Sequence, residues 1–404
     1  MIFVGVDWAE AHHDICVLDS AGEVLARKRI PDTLVGVREL HELLGEHADA
    51  PEQVVVGIEK DRGLIVTSML GSGYRVFAVN PLSVARYRER HVTSGSKNDA
   101  LDAKVLAELV RTDRQNHREA VSDSEAADAT KVLARAHQSA IWSCQREVNA
   151  LRNALKDYYP GALLAFGTGL AERDAVAILS VAPTPSLGAQ LSQSKIISAL
   201  KRAGRQRNLE KRAKEIQGAL REEQLHERPK VERAYGAITK AHVAMIRAFN
   251  TEIETLEKSL TEGFSEHPDA KIILSLPGLG MILGARVLGE FGDAPNRFHD
   301  AKSRRNYAGT SPVTRSSGKS LVVLSRHARN RRLSDAADRW AFCSLKQSPG
   351  ARAYYDELRA RNKTHHQALR QLANRWVGIL HACLDYQVVY DEALAWKSRE
   401  ALSA

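Results

Sequence analysis

Four carboxylates stand where a phosphoryl-transfer site needs them. Asp7 closes the run "IFVGVD" and Glu59 closes "QVVVGIE", two β-branched stretches that read as strands. Asp99 and Asp102 lie three apart in "KNDALDAKVLAEL", so a helix there carries both on one face, with Leu101, Val105, Leu106 and Leu109 pointing elsewhere. Where the first and fourth strands run side by side and parallel, their last residues emerge at one sheet edge and bring Asp7 to Glu59. Each acid also has an ordinary explanation. A strand-end aspartate is commonly a turn former, and acids at a helix start are favoured by the macrodipole, which suits Asp99 better than Asp102. Taken together they offer the hard oxygen ligands that Mg2+ or Mn2+ takes, and two such ions polarise a phosphate and stabilise both reacting oxygens. Without cations the four acids would repel one another, so the cluster predicts bound metal.

A second group lies far down the chain in "TSPVTRSSGKS", Thr310 to Ser320, followed closely by "SRHARNRR". A serine hydroxyl becomes a nucleophile only when its proton is taken and the attacked phosphate is neutralised. Arg315, Lys319, Arg326, Arg329, Arg331 and Arg332 supply positive charge, and Gly318 allows close approach of the backbone to a ligand. From the residues alone, Ser317 is open to two readings, a polar loop residue or a nucleophile.

The elements that position these groups follow from patterning. Ile2 to Asp7, His13 to Asp19 and Glu23 to Ile30 predict three antiparallel strands, with "DSAG" as a turn. A helix over Leu34 to His47, a strand over Gln53 to Glu59, a helix near Leu64 to Leu70 and a strand over Tyr74 to Asn80 follow. That order makes a β-helix-β unit and hence a parallel pair. A helix from about Asp99 closes this mixed sheet. From about Ser122 the strand signals vanish. Ile141, Cys144, Val148, Leu151 and Leu155 step by three and four, as do Ile246, Phe249, Ile253, Leu256 and Leu260. Two long helices pairing as an antiparallel coiled coil satisfy both stripes.

Between them, Lys201, Arg202, Arg205, Arg207, Lys211, Arg212 and Lys214 form a basic stretch without aromatics, either a solvated helical face or a phosphate contact. Further on, "LSLPGLGMILGARVLGEFGD" places Gly278 and Gly280 between two short apolar helices. This is a helix-hairpin-helix whose amides would bind phosphate, or an ordinary helical corner. From Arg332 onward the chain reads as helical, with Trp340, Phe342, Leu369, Leu372 and Trp376 as core.

Composition bounds the class. At 404 residues the chain exceeds the usual single core and predicts two or three domains. A net charge of +9 suits a partner rich in phosphates. Four scattered cysteines with no C-x-x-C pair predict buried free thiols rather than a zinc site or a disulfide framework. The apolar N-terminal run is too short for a signal peptide and lacks a basic leader, and no segment is long enough to span a bilayer. The expectation is a soluble cytoplasmic protein with no membrane partner.

"VGVDWAEAHHDICVLD", "GIEKDRG", "VFAVNPLSVARYRERH", "SGSKNDALDAKVLAELVRTD", the PGLG stretch and "NYAGTSPVTRSSGKS" occur in the order and spacing of a known family. In these six motifs the chain resembles the DEDD transposases of the insertion-sequence-one-ten family, relatives of the Piv invertase. The resemblance implies a RuvC-like, ribonuclease-H-like domain over residues 1–115, a helical coiled-coil linker and dimerisation region over 116–268, and a mainly helical C-terminal transposase domain over 269–404. It implies a metal-binding tetrad of Asp7, Glu59, Asp99 and Asp102, with Ser317 as nucleophile and Ser316 as the alternative. It further implies strand exchange on donor and target DNA through a phosphoserine link, guidance by a structured noncoding bridge RNA, and a dimer that becomes a tetramer on DNA. "KDRG" after the fourth strand departs from the small-residue step of many members. Two other functions fit the residues. One is a Holliday-junction-type metal nuclease using water, and the other is a non-catalytic RNA- or DNA-binding protein.

Overall fold

Alternation along the first strands decides the architecture of the N-terminal unit. The computed structural model describes residues 1–91, 99–295, 297–318 and 320–403, without the side chains of 91, 99, 100 and 398–403. The chain divides into two compact units, Met1–Asp123 and Ser124–Ala404.

In the first unit, β1 (Ile2–Trp8), β2 (His12–Leu18), β3 (Val24–Pro31), β4 (Val54–Ile58), β5 (Arg75–Ala78) and β6 (Arg118–Glu119) form one sheet in the order β3-β2-β1-β4-β5-β6. β1 pairs antiparallel with β2 and parallel with β4, and β4 pairs parallel with β5. The expected antiparallel meander and parallel pair are both present. α1 (Leu34–Gly45) and α2 (Leu64–Gly71) supply a core with Ile2, Val4, Val6, Val54, Val56 and Ile58 on one face. On the other face, Phe3, Cys16, Leu18 and Val55 pack against α4 (Asp99–Thr112), whose Ala103, Leu106 and Val110 are buried. Period-two alternation thus separates the two cores.

α3 (Pro81–His91) and the two-residue β6 were absent from the sequence reading. α3 begins on a recognisable signal, since Asn80 Oδ1 accepts from the amide of Leu82 at 2.9 Å and proline occupies the first helical position.

In the second unit, α5 (Glu125–Tyr158) and α11 (Pro229–Ser265) are the longest elements. They run antiparallel. His137 meets Glu257, Cys144 meets Asn250, and Tyr158 meets Thr239. Both predicted stripes face this seam, but they also receive α6 (Pro160–Phe166), α7 (Arg173–Val181), α8 (Pro185–Ala189), α9 (Gln193–Arg202) and α10 (Leu209–Arg221). Cys144, Val148, Leu151, Leu155, Val243 and Ile246 share one core with Ile178, Ile196 and Ile216 from those short helices. A separate core lies toward the other end of the long pair. There Ala134, Leu260 and Phe264 pack with α12 (Ala270–Ser275), α13 (Met281–Phe291), α14 (Ala301–Ala308), α15 (Arg331–Ser344), α16 (Pro349–Ala360), α17 (His365–Asp385) and Trp396 of α18 (Glu392–Ser403).

Trp340 and Trp376 are fully buried there, stacked 5.6 Å apart, and each indole has a partner: Pro277 O at 2.9 Å and Ser344 Oγ at 2.8 Å. Burying a tryptophan removes about 200 Å2 of surface, on the order of 5 kcal/mol of transfer free energy. The satisfied indoles let that gain stand. Phe342, expected in the core, is 54 % exposed. Of the thiols, Cys16, Cys144 and Cys383 are buried as expected, whereas Cys343 is exposed.

Strand structure does not end at Ser122. β7 (Val313–Ser317) and β8 (Ser320–Leu324) form an antiparallel hairpin where the sequence reading had a loop. No helix among the described residues is long and apolar enough to cross a membrane.

Candidate active site

The carboxylate end of the sheet is built by close packing. A Cβ on Gly5 would lie 1.8 Å from the carbonyl oxygen of Ala103, and one on Gly57 would lie 2.6 Å from that of Leu106. Any larger residue on β1 or β4 at those points would lift α4 off the sheet. Residues two apart on a strand share a face, so Asp7 follows Gly5, and Glu59 follows Gly57, on the side that carries α4. The parallel register pairs Val6 with Ile58, which sets Asp7 and Glu59 side by side one residue further on.

Asp102 precedes Ala103 on α4 and is 7 % exposed. The helix-face argument had Asp102 turned away from the apolar residues. It is instead buried with Ala103 and Leu106, because α4 lies flat on the glycines. Arg88 of α3 approaches it, Nη2 to Oδ1 at 2.6 Å, yet Oδ1 and Arg88 Nε are both buried without a hydrogen bond. Asp99 opens α4, and its side chain is outside the described residues.

A further acid escaped the sequence reading. Asp14 sits directly across from Asp7 in the β1–β2 register and is 8 % exposed. Arg29 grips it with two hydrogen bonds of 3.0 and 2.8 Å. Bidentate pairing of this kind neutralises the acid beside Asp7. Strand periodicity puts Asp14 on the same face as Cys16 and Leu18, but its place beside Asp7 is set by the cross-strand register.

The residues fit a hard divalent cation in donor chemistry, with Asp102 Oδ1 buried and matched only by the ion pair with Arg88 that a cation would have to displace. Among the described side chains no three His, Cys, Asp or Glu stand together closely enough to hold a metal. Asp7, Glu59 and Asp102 therefore do not form such a group by themselves, and the side chain of Asp99 lies outside the described residues.

In the second unit, Ser317 ends β7 opposite Ser320, and Gly318 turns the chain at φ +54° with open space around it. Every described residue of the hairpin except Val313 is exposed. Arg315 lies two residues before Ser317 and so shares its face of the ribbon, whereas Ser316 faces the other way with Thr314. Lys319 lies outside the described residues.

Both feet of the hairpin are anchored. Thr310 Oγ1 lies 3.2 Å from Asn374 Oδ1. On the other side, Asn330 caps α15 by accepting from Leu333 N at 3.1 Å, while its amide nitrogen donates to Glu290 Oε2 at 2.6 Å. Glu290 is 3 % exposed and receives two bonds from Arg135 at 2.7 and 2.8 Å. Burial alone would raise its pKa, but the bonds from Arg135 and Asn330 hold the carboxyl below the ordinary range.

The remaining cations divide sharply. Arg332 is structural: it donates to Arg135 O, Gln138 Oε1 and Ser139 Oγ, tying α15 to α5. Arg329 donates to Arg326 O at 2.7 Å, and its stem lies across Gly309, where a Cβ would come within 2.3 Å of it. In the basic stretch Arg205 is bound to the buried Asp174 at 2.8 Å, while Lys201, Arg202 and Arg207 are exposed. The Gly278 amide donates to Gln347 Oε1 at 2.8 Å and its Cα abuts α15, so that N–H is committed internally. Gly280 is exposed, with open space around it, at the start of α13.

A six-stranded sheet with acids at its parallel strand ends, joined in one chain to a helical unit bearing a serine hairpin, matches two transposase family models. The DEDD transposase model of IS110 covers residues 4–160, and the model described as "Transposase IS116/IS110/IS902 family" covers residues 270–356. Among curated proteins, the chain is 43% identical over 399 residues to the "Mini-circle putative transposase for IS117" of Streptomyces coelicolor, spanning 98% of this chain and 96% of that one. It is 26% identical over 405 residues to the IS110 uncharacterized 43.6 kDa protein of the same organism, covering 97% and 96% of the two chains. It is 26% identical over 396 residues to the IS900 uncharacterized 42 kDa protein of Mycobacterium paratuberculosis, covering 97% and 98%. The chain belongs to the IS110 family of DEDD transposases.

Proposed function

We propose that this transposase cuts and rejoins DNA through a covalent phosphoserine intermediate formed by Ser317 and assisted by the carboxylates Asp7, Glu59, Asp99 and Asp102 of a RuvC-like domain. The observation that carries the reading is the shared ribbon face of Arg315 and Ser317. A serine at an exposed turn beside a free-standing arginine can meet a phosphate that a buried serine cannot. Ser317 Oγ attacks phosphorus, the bond from phosphorus to the deoxyribose oxygen breaks, and the sugar leaves as a hydroxyl. The serine proton passes to a carboxylate or water, and the departing oxygen takes one up, so charge balances. Arg315, with Lys319, Arg326 and Arg329 nearby in sequence, neutralises the phosphoryl oxygens. Mg2+ or Mn2+ held by the four carboxylates would supply Lewis acidity at the same phosphate.

The division of labour we propose follows the same reading, with residues 1–115 carrying the carboxylates, 116–268 the helical coiled-coil linker, and 269–404 the serine. A helix-hairpin-helix contact to the DNA backbone falls to Gly280 and the first amides of α13 rather than to Gly278. The exposed Lys201, Arg202 and Arg207 are the cations offered to a structured noncoding RNA from the element, with Arg205 tying the loop after α9 to Asp174 of α7. Pairing of copies through the long helices gives a dimer, and a tetramer on DNA.

The test is a denaturation-resistant protein–DNA adduct formed from purified protein, element-end RNA, Mg2+ and labelled DNA. An adduct absent in Ser317→Ala and Asp102→Ala but retained in Ser316→Ala is expected. DNA cleavage without an adduct, untouched by Ser317→Ala and abolished by Asp102→Ala, would mean hydrolysis by a Holliday-junction-type nuclease. Nucleic-acid binding with neither cleavage nor adduct would mean a non-catalytic protein.

A further inference from the structure

The two feet of the serine hairpin rise from the walls of a cleft, of whose lining the mechanism above uses only Arg329. Gly309 and Thr310 enter it three to four residues before β7, and His327 and Arg329 leave it just after β8. Trp142 of α5, Asp335 and Asp338 of α15, and His366 and Arg370 of α17 complete the lining. Its volume is about 690 Å3. That size suits a nucleotide-sized ligand, since such sites run to ~300–1,000 Å3.

Three arginines, Arg329, Arg331 and Arg370, face two carboxylates, Asp335 and Asp338, so the lining carries a net positive charge. Asp335 is already held, by Gln138 at 3.0 Å and Arg339 at 3.2 Å. Arg331 and Arg370, by contrast, make no hydrogen bond or ion pair among the described residues, although both line the cleft. Two unmatched guanidinium groups on opposing elements suit a phosphate, which accepts paired N–H bonds in the plane of each group. Trp142 adds a flat surface braced by Arg332, whose guanidinium carbon lies 4.9 Å from the ring centre. A base or sugar can lie against such a surface.

We infer that this cleft grips the backbone of the DNA strand that Ser317 attacks, a few nucleotides from the attacked phosphate, with Arg331 and Arg370 as the phosphate contacts. The inference rests on the serine reading for its placement. Four strand steps separate Val313 from Ser317, about 13 Å at ~3.3 Å per residue, and Thr310 lies three residues further back, which adds at most ~10 Å. Duplex DNA rises 3.4 Å per nucleotide, so the gripped phosphate lies about four to seven nucleotides from the attacked one.

The experiment measures binding of a labelled donor duplex by fluorescence anisotropy from low to moderate salt. Ser317→Ala protein is compared with the same protein carrying Arg331→Ala and Arg370→Ala, and phosphate-ethylation interference is run in parallel. Each lost contact should flatten the log–log salt slope by about 0.9, so the pair by about 1.8. Affinity should fall about tenfold or more for each arginine. Interference should vanish at phosphates four to seven nucleotides from the cut. Unchanged circular dichroism controls for folding, and should the double variant misfold, Arg370→Gln alone is expected to flatten the slope by about 0.9.

An unchanged slope and unchanged interference overturn the proposal, as does an effect confined to binding of the noncoding RNA. An adduct assay on the protein with Ser317 intact separates the two claims. If no adduct forms but the slope flattens, the serine reading falls while the cleft remains a DNA-backbone site.

Discussion

In the N-terminal unit, Asp7 lies on β1 and Asp102 on α4, and that helix is seated so closely on Gly5 and Gly57 that no side chain fits between. In the C-terminal hairpin, Ser317 stands on a two-stranded ribbon whose Leu321, Val322, Val323 and Leu324 are 42 to 68% exposed. The first region is fixed by packing. The second is fixed only at its feet, by Thr310 and Asn330, and its tip stands in solvent. Two-stranded ribbons are marginally stable alone, so we read the tip as the part that nucleic acid organises. The carboxylates then require packing to be intact, and the serine requires contact.

The sharpest way to break this comparison is at Gly5. Gly5→Val forces a branched side chain into the Ala103 carbonyl, and overpacking of this kind should cost about 3 kcal/mol or more. The melting temperature of the first unit should drop by roughly 10 °C in calorimetry. A variant that melts like the parent would show that α4 is not seated as described.

Next in size is Arg135→Met, which leaves Glu290 buried without its bidentate partner and should cost the second unit about 3 kcal/mol in urea unfolding. The same anchor sets a pH dependence. The Glu290 carboxyl is held below its ordinary range against burial, and so is Asp293, by its bonds from Ser124 and His267. A carboxyl depressed in the folded state stabilises above its unfolded pKa, about 4, and that stabilisation is lost as pH falls further. The urea midpoint of the second unit should therefore fall between pH 5 and pH 3. A flat profile over that interval would remove these carboxyls as acid-sensitive anchors.

A smaller effect is expected at Arg88. Its guanidinium lies against Asp102, so if the proposed cation binds there, Arg88→Gln should tighten Mn2+ binding about tenfold in electron paramagnetic resonance titrations. Asp102→Asn should weaken it. If Arg88→Gln weakens binding as well, the arginine supports the site instead of competing for it.

The smallest stability change belongs to the ribbon. Leu321→Ser with Val323→Ser should shift thermal unfolding by no more than about 0.5 kcal/mol, because both side chains are already in solvent. Adduct formation should nonetheless fall if the ribbon surface is covered during strand exchange.

Legibility in the sequence tracks burial in the same way. The antiparallel meander, the parallel β4–β5 pair, α1, α2 and α4 follow from alternating and threefold-fourfold patterns, because those patterns are the imprint of a buried face. The ribbon has no buried face, so "VTRSS" and "SLVVL" carry no alternation and read as a loop. β6 is too short to carry any pattern. Asp7 and Glu59 were legible as strand-end acids. Asp14 and Arg88 were not, since their roles depend on cross-strand register and on how one helix meets another. Gly278 was legible as a turn glycine, but its commitment to Gln347 depends on a residue 69 positions away.

The antiparallel pair of α5 and α11 carries one core near Ala134 and Phe264 and another around Leu151 and Val243. A helix rises 1.5 Å and turns about 100° per residue, so this pair is a rotor shaft as much as a spacer. Deleting one matched residue from each helix between the two cores would shorten the arm by only ~1.5 Å while twisting one core by about 100° against the other. Deleting seven from each would nearly restore the phase, at a shortening of ~10 Å. Evolution can change the reach of this arm cheaply only in steps of whole heptads, and lengths in between would point the serine-bearing end in a different direction.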